Sequence, residues 1–145
     1  MASGDPVSYA DAALAQRRIG TLTGDTDVTA ASYSSDTGVE NFSCTVVAGR
    51  TYRVKYVFNA QAVTTTNTLL VRIRSGNYTG TQITYTNAIL ATAIQQFVIE
   101  ADWTAPVSGT QQFSITATRT AGTTNSQFRG AASQPRSLTV EFAYV

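Results

Sequence analysis

The chain has no histidine, one cysteine and one lysine, and charged residues fill only 13% of its 145 positions. The missing histidine removes Ser-His-Asp and Cys-His arrangements, His-ligated zinc and the commonest general base. With Cys44 alone, no intrachain disulfide and no thiolate metal cluster can form. Neither a G-x-x-x-x-G-K-[ST] loop nor a G-x-G-x-x-G turn occurs, so the familiar phosphate cradles are absent too. No apolar run approaches the roughly 18 residues of a membrane span, and the N-terminus lacks a basic region followed by an apolar one. These absences predict a soluble, non-enzymatic chain made in a cytoplasm, with no cofactor and no membrane partner. A net charge of +1 gives no broad field, which argues against nucleic acid as a partner.

What replaces charge is Thr, Ser, Asn and Gln, residues of strands and turns that offer few ion pairs to surface helices. Lys55 is the only lysine, so arginine supplies nearly all the positive charge. Arginine is favoured at protein–protein interfaces where lysine is depleted. The length fits one domain, which at this size buries roughly 68–70% of the surface of the unfolded chain and requires no covalent staple.

Two regions differ in pattern. Residues 1–18 are expected to form an N-terminal arm or short helix. Ser8 is a candidate N-cap, and the Ala-rich stretch to Arg18 behind it is about three turns long, marginal in isolation. It either packs on the domain or orders against a neighbouring subunit, and the second reading is preferred. From residue 19 to 145 the period is two, and eight or nine strands are predicted.

Val39–Val47 and Thr51–Ala60 form the clearest pair, with Ala48-Gly49 in the place of a hairpin turn. Tyr52, Val54, Tyr56 and Phe58 share one face, with Arg53, Lys55 and Asn59 opposite. Leu69, Val71 and Ile73 face inward, as do Phe97, Ile99, Ala101 and Trp103; Phe113, Ile115 and Ala117; and Leu138, Val140, Phe142 and Tyr144. Val28–Tyr33 is a short β-prone piece, Ala88–Thr92 a helical turn or irregular crossing, and Thr118–Arg136 a long polar loop. Two packed antiparallel sheets bury such faces, so the predicted fold is an all-β, jelly-roll-like antiparallel sandwich.

Chemistry-bearing residues are few. Glu100 and Asp102 share a strand face, where a carboxylate pair could act as acid and base. They alternate with the Phe97–Trp103 face and are read as a solvated outer surface. Asp25 and Asp27 lie in a Gly-Asp-Thr-Asp turn that leaves the calcium-loop pattern incomplete. Cys44, in phase with Phe42 and Val46, reads as a small core residue. Trp103 reads as core, while Tyr33, Tyr78 and Tyr85 lie nearer turns as candidate surface anchors. The remaining candidates are cationic: Arg17 and Arg18 at the end of the arm, and Arg72 and Arg74 on one strand face, are candidate contacts to a neighbouring subunit or particle. The plain alternative is a helix C-terminus for the first pair and an exposed strand face for the second, and it is preferred at Arg72 and Arg74.

Three segments carry a resemblance: Ala13-Leu14-Ala15-Gln16-Arg17-Arg18-Ile19-Gly20, Val47-Ala48-Gly49-Arg50-Thr51-Tyr52-Arg53-Val54 and Ala132-Ser133-Gln134-Pro135-Arg136-Ser137-Leu138-Thr139-Val140-Glu141. Together they resemble small β-rich virion proteins of tailed phages infecting actinobacteria, described as capsid decoration, head-fibre or minor tail proteins. In many of those an Asp follows the final Glu, where Phe142 stands here. The resemblance implies a virion location and a partner in the major capsid protein or another virion protein. It also implies a homo-oligomer, a trimer, acting as a capsid decoration (cement) protein. The alternatives are a minor tail or fibre protein, or a carbohydrate-binding module, contacting a host surface glycan.

Overall fold

A computed structural model describes residues 18–143. Nine strands run in chain order: β1 (Arg18–Gly24), β2 (Thr37–Val46), β3 (Thr51–Ala62), β4 (Asn67–Ser75), β5 (Thr81–Leu90), β6 (Gln95–Thr104), β7 (Gly109–Ala121), β8 (Ser126–Arg129) and β9 (Arg136–Phe142). They form a five-stranded sheet in the order β1-β9-β3-β6, with β8 also paired to β3, and a four-stranded sheet in the order β2-β7-β4-β5. Every pairing is antiparallel. The chain is thus an all-β, jelly-roll-like sandwich, with no helix among the described residues. The arm, including Arg17, and the closing Tyr144 lie outside those residues. Arg18 belongs to the first strand.

Period-two patterning places the core as expected. Tyr52, Val54, Tyr56 and Phe58 of β3 are buried, as are Leu69, Val71 and Ile73 of β4 and Phe113, Ile115 and Ala117 of β7. Their inward faces meet between the sheets, where full burial of each large side chain contributes about 1.5–3 kcal/mol. Phe58 is the aromatic centre: its ring lies 5.2 Å from Phe97 and 5.4 Å from Phe128.

Five expectations are corrected. β2 and β3 are not a hairpin: β2 pairs with β7, while β3 pairs with β6, β8 and β9. The turn between them is real, with the Arg50 N–H donating to the Val47 carbonyl at 3.1 Å and Gly49 at φ 79°. It carries the chain from one sheet to the other. A tight turn and a Gly at positive φ suit both an in-sheet hairpin and such an arch, so the local sequence does not separate them. Ala88–Leu90 continues β5, with Ala88 paired to Leu69. The polar segment Thr118–Arg136 contains the end of β7 and all of β8. Its strand β8 alternates Ser126 and Phe128 inward, too short a run to stand out.

Asn59 is buried where its parity put it on the outer face, because the 130–135 loop covers it and the Gln134 carbonyl accepts its amide at 3.1 Å. Tyr33 is buried, not a surface anchor. Its backbone is left-handed at φ 49°, an uncommon cost for a bulky residue. The ring is held edge-on to Phe128 at 5.7 Å and its carbonyl accepts the Arg119 N–H at 2.7 Å. The Val28–Tyr33 piece makes an isolated bridge, Ala31 to Ser126.

Candidate functional sites on the sheet faces and flanks

The outer face of the five-stranded sheet carries its charges in rows. Register places Arg18 beside Glu141, Glu141 beside Arg53, and Arg53 beside Asp102. The row therefore alternates in sign from β1 to β6. Arg53 and Asp102 are joined at 3.0 Å, both partly exposed, so solvent screens the pair and it adds little to stability. The next row runs Thr21, Thr139, Lys55, Glu100, and the one after it Thr23, Ser137, Val57, Val98.

Glu100 and Asp102 thus sit on an exposed outer face, each beside a cation across the strand pair. Arg18, Lys55, Val57, Ser137, Thr139 and Glu141 line a shallow depression of about 220 Å³. A cleft of about 60 Å³ lies between Asp27, Asn59, Ile94 and Arg129. Both are below the roughly 300–1,000 Å³ of small-molecule sites. No cluster of three or more His, Cys, Asp or Glu suited to a metal occurs among the described residues.

On the outer face of the four-stranded sheet, Asp36 gathers the two arginines of β4. Arg72 Nη1 donates to Asp36 Oδ1 at 2.9 Å and Arg74 Nη2 to Asp36 Oδ2 at 2.5 Å. Burial pushes the Asp36 carboxyl up, but hydrogen bonds from Thr118, Arg74 and Thr116 and the Arg74 charge outweigh it, so its pKa falls below the ordinary value. The Gly76–Gly80 turn folds back over this face. Arg74 donates to the Gly80 carbonyl at 2.8 Å, and the Asn41 amide donates to the Tyr78 hydroxyl at 2.7 Å. Tyr85, 54% exposed, stands beside Arg72 in register.

The sequence candidates are therefore not brought together. Arg18 ends the five-stranded sheet, while Arg72 and Arg74 lie on the opposite face of the sandwich and are engaged within the chain. Trp103 is half-buried, with its ring edge-on to Phe113 at 5.1 Å. Asp27 accepts the Gly130 N–H at 2.9 Å and faces Arg129 at 3.2 Å, a local tie between loops.

A charged contact inside the sandwich escaped sequence reasoning. Arg136 Nε and Nη2 donate to Glu40 Oε1 at 3.0 and 2.7 Å, and Arg136 Nη1 to the Thr26 carbonyl at 2.7 Å. The Tyr56 hydroxyl donates to Glu40 Oε2 at 2.5 Å. The side chains of Arg136 and Glu40 are 4% and 10% exposed. Glu40 comes from the four-stranded sheet, Arg136 and Tyr56 from the other, so the contact ties the two sheets. A Cβ on Gly24 would stand 2.5 Å from Arg136 Nη2 and 2.6 Å from Glu40 Oε1, so any side chain there would have to displace the pair. Burial pushes the Tyr56 hydroxyl well above its usual pKa, and Glu40 raises it further. The signal was present in the parity: Glu40 is in phase with Phe42, Cys44 and Val46, and Arg136 with Leu138 and Val140.

No family model and no curated protein matches the sequence. Solved structures do resemble the fold. A structure of the infectious bursal disease virus Gt strain superposes on 90% of this chain and 38% of that one, with 14% identity and a TM-score of 0.50. A family 35 carbohydrate-binding module from Clostridium thermocellum covers 82% of this chain and 97% of its own at 13% identity and a TM-score of 0.42. A CBM4 structure covers 86% and 79% at 20% identity and a TM-score of 0.42. At these identities the likeness is one of fold.

Proposed function

We propose that this chain is a non-enzymatic virion structural protein, a capsid decoration protein that binds the outer head surface through the major capsid protein and stabilises it as a homotrimer. The observation that carries this reading is where the structure keeps its unsatisfied surface. The two depressions described above are shallow and small, whereas among the described residues both flanks of the sandwich end in strands with no further strand paired to them. Free edges and broad faces suit contact with other protein chains. The phage-virion resemblance of the sequence and the occurrence of this fold in a viral particle support the same reading. Its test is quantitative mass spectrometry of the purified virion. Copy number on the scale of the major capsid protein supports it, and a handful of copies per particle supports a tail location instead.

A second reading rests on Tyr85. An exposed aromatic ring beside the Arg72–Asp36–Arg74 array offers a stacking surface next to fixed polar groups, the combination that a sugar ring requires. It would make the chain a minor tail or fibre protein, or a carbohydrate-binding module, contacting a host surface glycan. Glycan-array binding that disappears in a folded Tyr85→Ala variant would favour it over the first.

A further inference from the structure

Among the described residues, the edge strands of the two flanks expose charges of opposite sign. One flank consists of the edges of β1 and β2, packed together where Gly20 meets Phe42. Its exposed charge on these strands is Arg18, since the Glu40 side chain of β2 is buried. The other flank consists of the edges of β5 and β6. β5 has no charged residue, and β6 carries Glu100 and Asp102, both exposed. The edges also differ in regularity. Register shifts leave Val39 of β2 and Ile83 of β5 without a partner, bulges of the kind that blunt an edge, while the shift in β1 is confined to Ile19 beside Arg18 and leaves Gly20–Gly24 in regular register. β6 is in unbroken register with β3 from Gln95 to Thr104, so its outer edge is straight and open.

We infer that the acidic β6 edge of one copy docks on the basic β1 edge of the next, joining copies head to tail. Strand direction permits it. β1, β9, β3 and β6 alternate in direction across the sheet, so β6 of one copy meets β1 of the next antiparallel, the better hydrogen-bonded arrangement. Charge favours it as well. Continuing the rows across the junction sets Asp102 beside Arg18 of the next copy, and the sign alternation Arg18, Glu141, Arg53, Asp102 passes into the neighbour unbroken. Glu100 then faces the Thr21 hydroxyl and Val98 faces Thr23. On the other sheet the uncharged β5 edge faces β2, which offers Asn41, Ser43 and Thr45 and no exposed charge. Pairing β6 with its own symmetry mate would bring Glu100 and Asp102 of two copies together, which like-charge repulsion disfavours. A heterologous contact of this type closes into a ring when the rotation between copies permits and extends as a filament when it does not.

The inference rests on the reading of the chain as an assembly subunit, and it names the surfaces that assemble. Sedimentation and light scattering of the full chain across a concentration series are its test, with each variant's melting curve recorded to confirm that it folds. Wild type gains mass with concentration, and added salt weakens the association. Arg18→Glu and Asp102→Lys each raise the dissociation constant by about tenfold or more. The double variant Arg18→Glu/Asp102→Lys, in which the reversed edges match again across the junction while meeting like charges at Glu141 and Arg53 within the chain, recovers part of the association. A wild type that stays monomeric overturns the inference, as does an oligomer indifferent to both single changes or a double variant that recovers nothing. If wild type stays monomeric in solution and still decorates particles, the edge pairing fails while the decoration role stands.

Discussion

Replacing Arg136 with methionine keeps much of the aliphatic volume but removes the cation that faces Glu40. Three hydrogen bonds go with it: two to Glu40 Oε1, and one to the Thr26 carbonyl. The Glu40 carboxylate, 10% exposed, then keeps the Tyr56 hydroxyl and no compensating charge. Breaking a buried pair from one side costs about 3–5 kcal/mol, because the remaining charge stays desolvated. Against a total stability of about 5–15 kcal/mol, that is a large share. At roughly 3 °C per kcal/mol for a domain of this size, the melting temperature falls by about 10 °C or more. Trp103 provides the assay, since its half-buried indole rests on Phe113 and reports loss of contact between the sheets in a urea titration. Adding Glu40→Gln to Arg136→Met removes the stranded charge, so the double variant is more stable than the sum of the two single losses predicts. A coupling of about 1–3 kcal/mol is expected for such neighbours. If Arg136→Met costs under about 1 kcal/mol, or the two changes simply add, the contact does not tie the sheets and the reasoning fails.

Three further outcomes follow from the same geometry. Tyr33 has its hydroxyl pKa pushed up to about 12 by burial, with Arg136 opposing and Glu40 adding. The neutral phenol is thus favoured in the folded state, and this stability is complete below the ordinary value of 10.0 and lost as pH rises towards about 12. The Tyr33 share of the phenolate absorbance, taken as the difference between wild type and Tyr33→Phe, should appear together with unfolding, and Tyr33→Phe should make the alkaline loss shallower; a Tyr33 phenolate that forms while the fold persists would contradict this. Asp36 has its pKa held below 3.8, so its contribution is present above that value and lost as pH falls through the lower folded one. Asp36→Asn should therefore cost about 1 kcal/mol at neutral pH, with its denaturation curve meeting that of wild type in acid. Gly24→Ala pushes a methyl group onto Arg136 and Glu40 and should lose about 1–3 kcal/mol in a melting experiment; a neutral result would mean that the pair has slack.

The inward faces of β3, β4, β6, β7 and β9 were legible because Tyr52-Val54-Tyr56-Phe58 and its counterparts repeat with period two over enough residues to exclude a helix. Strand partners were not legible. Val39–Val47 and Thr51–Ala60 flank a turn that fits a hairpin equally well, and only long-range packing decides that they enter different sheets. β8 hid because its four residues sit in a Ser- and Asn-rich stretch and pair with the far end of β3. Of the site residues, Arg18, Arg72 and Arg74 could be picked out as charges on strands, but their neighbours could not. Arg18 faces Glu141 across 123 residues of chain, and Asp36 reaches Arg72 and Arg74 from another loop. Glu40 and Arg136 were the exception. Each is a charge in phase with an apolar face, and opposite signs at two such places are a pairing signal readable without coordinates.

The most direct test of the proposed role is a reconstruction, at a resolution that traces strands, of the particle proposed to carry this chain. The account predicts density for the sandwich on the outer surface of the head, repeated with the capsid lattice, with β6 of each copy beside β1 of its neighbour. Density confined to the tail, or a particle that lacks the chain altogether, would contradict it.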